Sequence, residues 1–449
     1  MHHDLAIIGA GFGGSITALI AKQIGMNPVL IEQGTHPRFA IGESSTPQAD
    51  IALAKIAETF DLPRLRPLSK YGSWKETYPK LNCGAKRGFT YIHHPNIEEE
   101  LLVTATLDEY NADSHWYRAD LDAFLVEEVK EAEITYIDET SPQLISGSPW
   151  KLKSEKIVCT ADFIIDATGG ANPLDIRLDN SSIRTKSRAI YGHFEDVIPW
   201  GKLHSKPEHP YPCHDAALHH VFDGGWMYVL HFDNGISSAG FVLDTTQRPN
   251  DTWESLMDEH PKIKEQFQYA TPAMPLISTE RMQRCATQIV GENWAMLPHA
   301  AYFIDPLHSA GNAHTLCGIE RLMPILKSPM NKRSKLLHEY ENTTYREINL
   351  LDQMIHGCYL SFDNFKLLSQ YAMLYFSAAD FTERQRRSGH ISGFLNCNDE
   401  PFRKMARRLY EQIADGSIDV SSIASAIKPW NLAGLCDPAK QNMYDYAEL

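Results

Sequence analysis

Residues 5–14 read LAIIGAGFGG: a short apolar run that ends in glycines spaced as Gly9-x-Gly11-x-x-Gly14. The run predicts a buried strand entering a tight turn. SITALIAKQIG (15–25) then carries helical apolar spacing and stops on Gly25. PVLIE (28–32) reads as a second buried strand. Strand, helix and strand within about thirty residues make a βαβ unit, so the chain is α/β with a parallel sheet. Each glycine has a separate task. Gly9 permits the tight turn, Gly11 lets the backbone approach a pyrophosphate, and Gly14 lets the helix pack on the strand. The helix N-terminus attracts phosphate charge. Glu32 closes the second strand 23 residues after Gly9, where an acid accepts hydrogen bonds from ribose hydroxyls. That suits an adenosine with a free 2′-hydroxyl, as in FAD or NAD rather than NADP.

The chain has 449 residues, enough for two or three packed units. Its formal net charge of -15 repels nucleic-acid phosphates, so nucleic acid is a poor partner. Eight cysteines form no C-x-x-C pair and none clusters with histidine at a zinc-like spacing. They are expected as reduced, mostly buried thiols of a cytoplasmic protein, and no metal site is expected. No apolar run is long enough to cross a bilayer, and MHHDLAIIGAG (1–11) lacks a basic leader.

Further helices are expected at 48–60, 119–131, 334–357 and 362–378, and a hairpin at 143–160. DFIIDATGG (162–170) reads as a buried strand that opens on a second glycine turn. Between about 185 and 245 the pattern becomes β, with Asp233-Asn234-Gly235 as a turn. The expected organisation is a cofactor domain over 1–180, a β-rich substrate layer over 181–284, a return to the cofactor domain over 285–330, and a helical region over 331–449. There is no second G-x-G-x-x-G, which favours one dinucleotide held throughout the cycle over a separate nicotinamide domain.

RFAIGESSTP (38–47), CGAKRGFTY (83–91), YRADLDAFL (117–125), FIIDATGG (163–170) and PHAAYFIDPLHSAG (298–311) follow in that order. With CYLSFDNFKLLSQYAMLYFSAA (358–379) and GFLNCNDEPF (393–402), they resemble the flavin-dependent halogenases, especially the branch acting on pyrroles and phenols. The resemblance implies a Rossmann-like FAD-binding fold of the FAD hydroxylase and halogenase type, with a β-sheet substrate layer and a helical C-terminal region. It implies FAD, reduced in turnover by a separate flavin reductase, and chloride or bromide as co-substrate. The substrate would be a small electron-rich aromatic, free or tethered to a carrier. Oligomeric state stays open, with a homodimer one candidate.

The same resemblance assigns residues. Gly9, Gly11, Gly14, Glu32 and Arg118 would hold FAD, with Gly42, Ser45 and Thr46 near the flavin. Asp305, Pro306 and Gly311 would cover the isoalloxazine, and amides at Ala310 and Gly311 would hold halide. Lys86 matches the catalytic lysine, which holds hypohalous acid or forms a haloamine. It should stand at the end of an enclosed passage from the flavin. The family's W-x-W-x-I-P is altered here to Trp226-Met-Tyr-Val-Leu-His231. Trp226 keeps the wall, whereas His231 adds an acid or base. That change keeps an aromatic monooxygenase open as an alternative, with a flavin-binding cofactor-assembly protein as a third reading.

Overall fold

The computed structural model describes residues 1–94, 96–106, 108–390, 393–437 and 442. Strand β1 (His2–Ile8) leads through the Gly9 turn into α1 (Phe12–Gln23) and returns as β2 (Pro28–Ile31). β1 and β2 pair in parallel, Ile7 opposite Leu30. Gly9 has φ +101°, a conformation that side chains resist. A Cβ at Gly14 would lie 1.8 Å from the Gly9 carbonyl oxygen. Gly14→Ala must therefore push the helix off the turn. The expected loss is about 1–3 kcal/mol of stability, seen as a lower urea midpoint at unchanged slope. An unmoved midpoint would mean that helix and turn separate without cost.

The next segment holds α2 (Pro47–Thr59), α3 (Tyr71–Thr77), β3 (Cys83–Lys86), β4 (Gly88–His93), β5 (Glu100–Thr104), β6 (Asp113–Trp116) and α4 (Arg118–Glu131). β7 (Thr135–Ile137), β8 (Gln143–Ile145), β9 (Trp150–Lys153) and β10 (Val158–Asp166) complete the first sheet, in the order β7-β2-β1-β10-β9-β8. The 143–160 stretch is thus the antiparallel edge of this sheet. The strand Trp294–Met296 comes back late in the chain and pairs in parallel with the end of β10.

The second sheet contains β11 (Ser187–Glu195), β12 (Ala217–Phe222), β13 (Gly225–His231) and β14 (Ile236–Asp244). Its order is β11-β14-β13-β12-β4-β5, extended at β11 by short pairings. Both faces are buried, which is why β13 reads as a nearly continuous apolar run. Along β13, Trp226 and Leu230 face the main core, while Met227 and Val229 face a second cluster with Leu256, Met257 and Ile263.

Among the described residues, five α-helices follow: Ala310–Leu326, Met330–Tyr359, Phe365–Arg387, Glu400–Ala414 and Val420–Ile427. Glu347 joins three segments here. It accepts from Arg321 Nη2 (2.7 Å), His314 Nε2 (2.6 Å) and the Phe394 amide (2.7 Å). Among the described residues no helix is long and apolar enough to cross a membrane.

Candidate active site

A cavity of about 1140 Å³ opens between the two sheets. It exceeds the roughly 300–1,000 Å³ of an ordinary ligand pocket and so suits a long ligand. At one end it is lined by Gly9, Gly11 and Glu32, and at the other by Trp226, Asp305, Pro306, Ala310 and Gly311. Glu32 accepts from the amides of Ala10 (2.7 Å) and Gly34 (3.0 Å) and pairs with Arg38 at 3.3 Å. Burial alone would raise its carboxyl. The Ala10 amide, Arg38 and the Gly34 amide outweigh that and hold it below the usual range. An ionised acid at this point suits ribose hydroxyls. Along the middle, Arg118 is fixed by Asp122 (3.0 and 2.8 Å) and by the Ile41 carbonyl (2.7 Å). Ile41 directly precedes Gly42, which has φ +88°.

Beside Arg118, His299 donates from Nε2 to the Ala167 carbonyl (3.0 Å), and Thr315 lies 3.3 Å from its Nδ1. Burial pulls this imidazole down to about 4, so it is neutral at pH 7. Asn312 Nδ2 donates to the Gly42 carbonyl (2.9 Å) and clips that loop to the start of the Ala310–Leu326 helix. An added Cβ at Gly311 would meet nothing within 4 Å, so the chain is open at this helix start. The glycine turns, the acid and the open helix N-terminus fit a dinucleotide.

The wall at the far end is made by Trp226, Tyr228 and Leu230 of β13. Trp226 Nε1 donates to Tyr359 Oη (3.2 Å), which donates to Asp305 Oδ2 (2.7 Å). Ser187 donates to the same oxygen at 2.7 Å. Burial lifts the Asp305 carboxyl to about 6 despite these donors. On the neighbouring strand, His219 lines the cavity and stacks on Tyr91 (4.6 Å) and Phe89 (5.9 Å). Behind that aromatic layer stands Lys86, fully buried, with Nζ 4.0 Å from the Phe89 ring centre. Its ammonium donates to the Ser45 carbonyl.

Monodechloroaminopyrrolnitrin halogenase PrnC of Pseudomonas fluorescens is 28% identical over 404 residues, which span 83% of this chain and 70% of its own. Tetracycline 7-halogenase of Kitasatospora aureofaciens is 25% identical over 443 residues, spanning 89% and 79%. The chain is a homologue of the flavin-dependent halogenases. The halogenase PltM, solved in complex with phloroglucinol and FAD, matches with TM-score 0.88 over 98% of both chains at 22% identity, which is a likeness of fold. No protein-family model matches the chain.

In this halogenase homologue, several residues lie elsewhere than expected. Gly14 is not on the cavity wall but wedged against Gly9. Ser45 and Thr46 stand behind the lining formed by Gly42, Glu43 and Ser44. Ser45 is fully buried, and Thr46 caps α2 by accepting from the Ala49 amide. His231 was expected near the substrate and instead lies off the cavity, on the other face of β13, bonded to Ser237 at 2.8 Å. The cause is the two-residue repeat of a strand, which puts it opposite to Trp226, Tyr228 and Leu230. Lys86 was expected at the end of a passage from the flavin; it is fully buried and the cavity does not reach it, with Phe89 against its amine and His219 stacked on Phe89.

Three functional candidates carried no local signal: His219, Tyr359 and Asn312. Each takes its meaning from partners distant in sequence. Phe89 packs against Lys86, and Phe376 meets Phe89 edge-on at 5.1 Å. Away from the site, His2, Asp4 and Asp162 offer ligand atoms within 4.8 Å of one another. Exposed acidic groups of this kind are common without an ion, and no role is assigned to them.

Proposed function

We propose that this protein is a two-component, FAD-dependent halogenase that places chlorine or bromine on an electron-rich ring of the phenol or pyrrole type. The observation that carries this is a buried lysine, separated by one aromatic layer from a dinucleotide-sized cavity. Relatives that bear the halogenase name over most of the chain support it. Reduced FAD, when bound, would activate oxygen and so supply the oxidant that turns halide into hypohalous acid.

The chain's own residues do the rest. Gly9, Gly11, Glu32 and Arg118 would bind and orient the cofactor. Asp305, Pro306 and Gly311 would close over its ring system. Amides at Ala310 and Gly311 are at a helix start, where the first N–H groups lack intrahelical acceptors and suit a halide. Trp226, Tyr228 and Leu230 would exclude the substrate from the oxidant's source. Lys86 would receive hypohalous acid and present its halogen to the ring. The ring loses a proton as it gains the halogen, and the hydroxide part of the acid leaves as water.

No feature of the cavity favours a monooxygenase. His231, the residue that opened that reading, does not reach it. A free substrate is favoured over one tethered to an acidic carrier. The net charge is -15, and in the basic cluster at 332–335 Lys335 faces an acid of its own helix. Arg333 donates to the Leu326 carbonyl at 2.6 Å and Lys335 lies 3.8 Å from Glu339. A separate flavin reductase completes the system. All eight cysteines are free, which supports a reducing, cytoplasmic setting.

The test is product mass. The protein with FAD, a flavin reductase, NADH and bromide should convert a phenolic or pyrrolic substrate into a product that shows the bromine isotope doublet. A hydroxylated product that forms equally without bromide would move the chain to the monooxygenases.

A further inference from the structure

We propose that Asp113 and Asp50 are positioning residues for Lys86, sharing one proton so that their single negative charge sets whether its amine is charged. The inference deepens the halogenase reading and rests on it for the part Lys86 plays in chemistry.

Lys86 on β3 is directly opposite Asp113 on β6 in an antiparallel pair. Cross-strand partners project to the same side, so the carboxyl and the amine share one buried space. Asp113 is 1% exposed and Asp50, on α2, is 2% exposed. Neither oxygen of Asp113 receives a donor among the described residues, and Asp50 Oδ2 receives no hydrogen bond either. Two buried carboxyl groups that act on one another and are short of donors resist carrying two negative charges at once, so a proton on one of them stabilises the pair. Ser45 ties the pair to the amine. Its carbonyl accepts from Lys86, and its hydroxyl donates to Asp50 Oδ1 at 2.7 Å.

Charges of both signs face the pair. Lys70, just before α3, stands 3.8 Å from Asp50 Oδ2. From the Phe365–Arg387 helix, Tyr375, Asp380, Glu383 and Arg387 act on this cluster. Burial, then Asp380 and Asp113, push the Glu383 carboxyl well up. His115 and His219 also face Lys86, and burial pulls both imidazoles down, so neither competes as a cation. Burial draws the Lys86 amine down to about 8, while Asp113 and then Asp50 push back. The amine is therefore poised between a hydrogen-bond-donating ammonium and a nucleophilic amine near neutral pH.

The experiment reads Lys86 directly. The full chain, loaded with oxidised FAD and labelled with 13Cε-lysine, is titrated by NMR, and the Lys86 signal is assigned by its loss in Lys86→Met. Asp113→Asn leaves the remaining charge on Asp50, beside Lys70, and should lower the Lys86 midpoint by about one pH unit. Asp50→Asn places the whole charge on Asp113 and should raise it by about half a unit. This reversal of sign is something a merely structural role would not produce. An unmoved or raised midpoint in Asp113→Asn overturns the proposal. So does an unmoved or lowered one in Asp50→Asn, which alone suffices if Asp113→Asn fails to fold. If the signs reverse as expected but Lys86→Met still halogenates, the charge-setting pair stands and the role of Lys86 in halogenation falls.

Discussion

Lys86→Met is expected to lower halogenation by on the order of 10³-fold or more, while FAD stays bound. The lysine does not line the cavity, so its loss takes nothing from the cofactor's own contacts. Methionine fills a similar volume and keeps the packing on Phe89, but it has no amine to donate to hypohalous acid or to form a haloamine, and its thioether would only consume the acid by oxidation to the sulfoxide. Thermal stability should change little, because replacing a buried charge by an apolar group of like size is often neutral or favourable. The measurement pairs product analysis with flavin absorbance after gel filtration. A variant that keeps both flavin and product at comparable levels would take Lys86 out of the chemistry. A variant that loses both would show only that the site had been damaged.

The largest stability effect is expected at Glu347. Burial by itself would raise this carboxyl, but Arg321 and His314 outweigh it and hold it at about 2, against an ordinary 4.5. The folded-state value is depressed, so the ionised form stabilises the fold above pH 4.5, and that contribution disappears as the pH falls through about 2. Glu347→Gln leaves Arg321 without its counter-charge and weakens the bonds to His314 and the Phe394 amide. The cost should be about 3–5 kcal/mol, measured by urea unfolding at neutral pH. The deficit should shrink when both proteins are compared near the acid end of that window. A deficit of the same size at both pH values would assign the effect to shape rather than charge. Adding Arg321→Met should restore part of the loss, since the stranded cation is then gone.

The dinucleotide turn was legible because its information is local. Gly9, Gly11, Gly14 and Glu32 lie within one βαβ unit, and each has a reason that spacing alone expresses. The helix and strand positions were legible for the same reason. Lys86 was not legible from its neighbours. A lysine between glycines reads as a surface cation, and only the order of several separate motifs suggested otherwise. Its burial depends on Phe89, Ser45 and Asp113 meeting around it. Trp226 and Tyr359 bond across 133 residues, and Asn312 reaches the Gly42 carbonyl across 270. No window of the sequence holds both partners. Two misplacements were avoidable. Strand parity already sets His231 against Trp226, and Thr46 before Pro47 is a helix-cap signature that draws the chain away from the cavity.

The bond from Trp226 to Tyr359, and on to Asp305, bolts β13 to the end of the long Met330–Tyr359 helix. If the proposed function holds, β13 and that helix would not change independently. Grafting or evolving that helix to admit a new ring also loosens the tryptophan. The first symptom would be waste: more NADH consumed per turnover than halogenated product made.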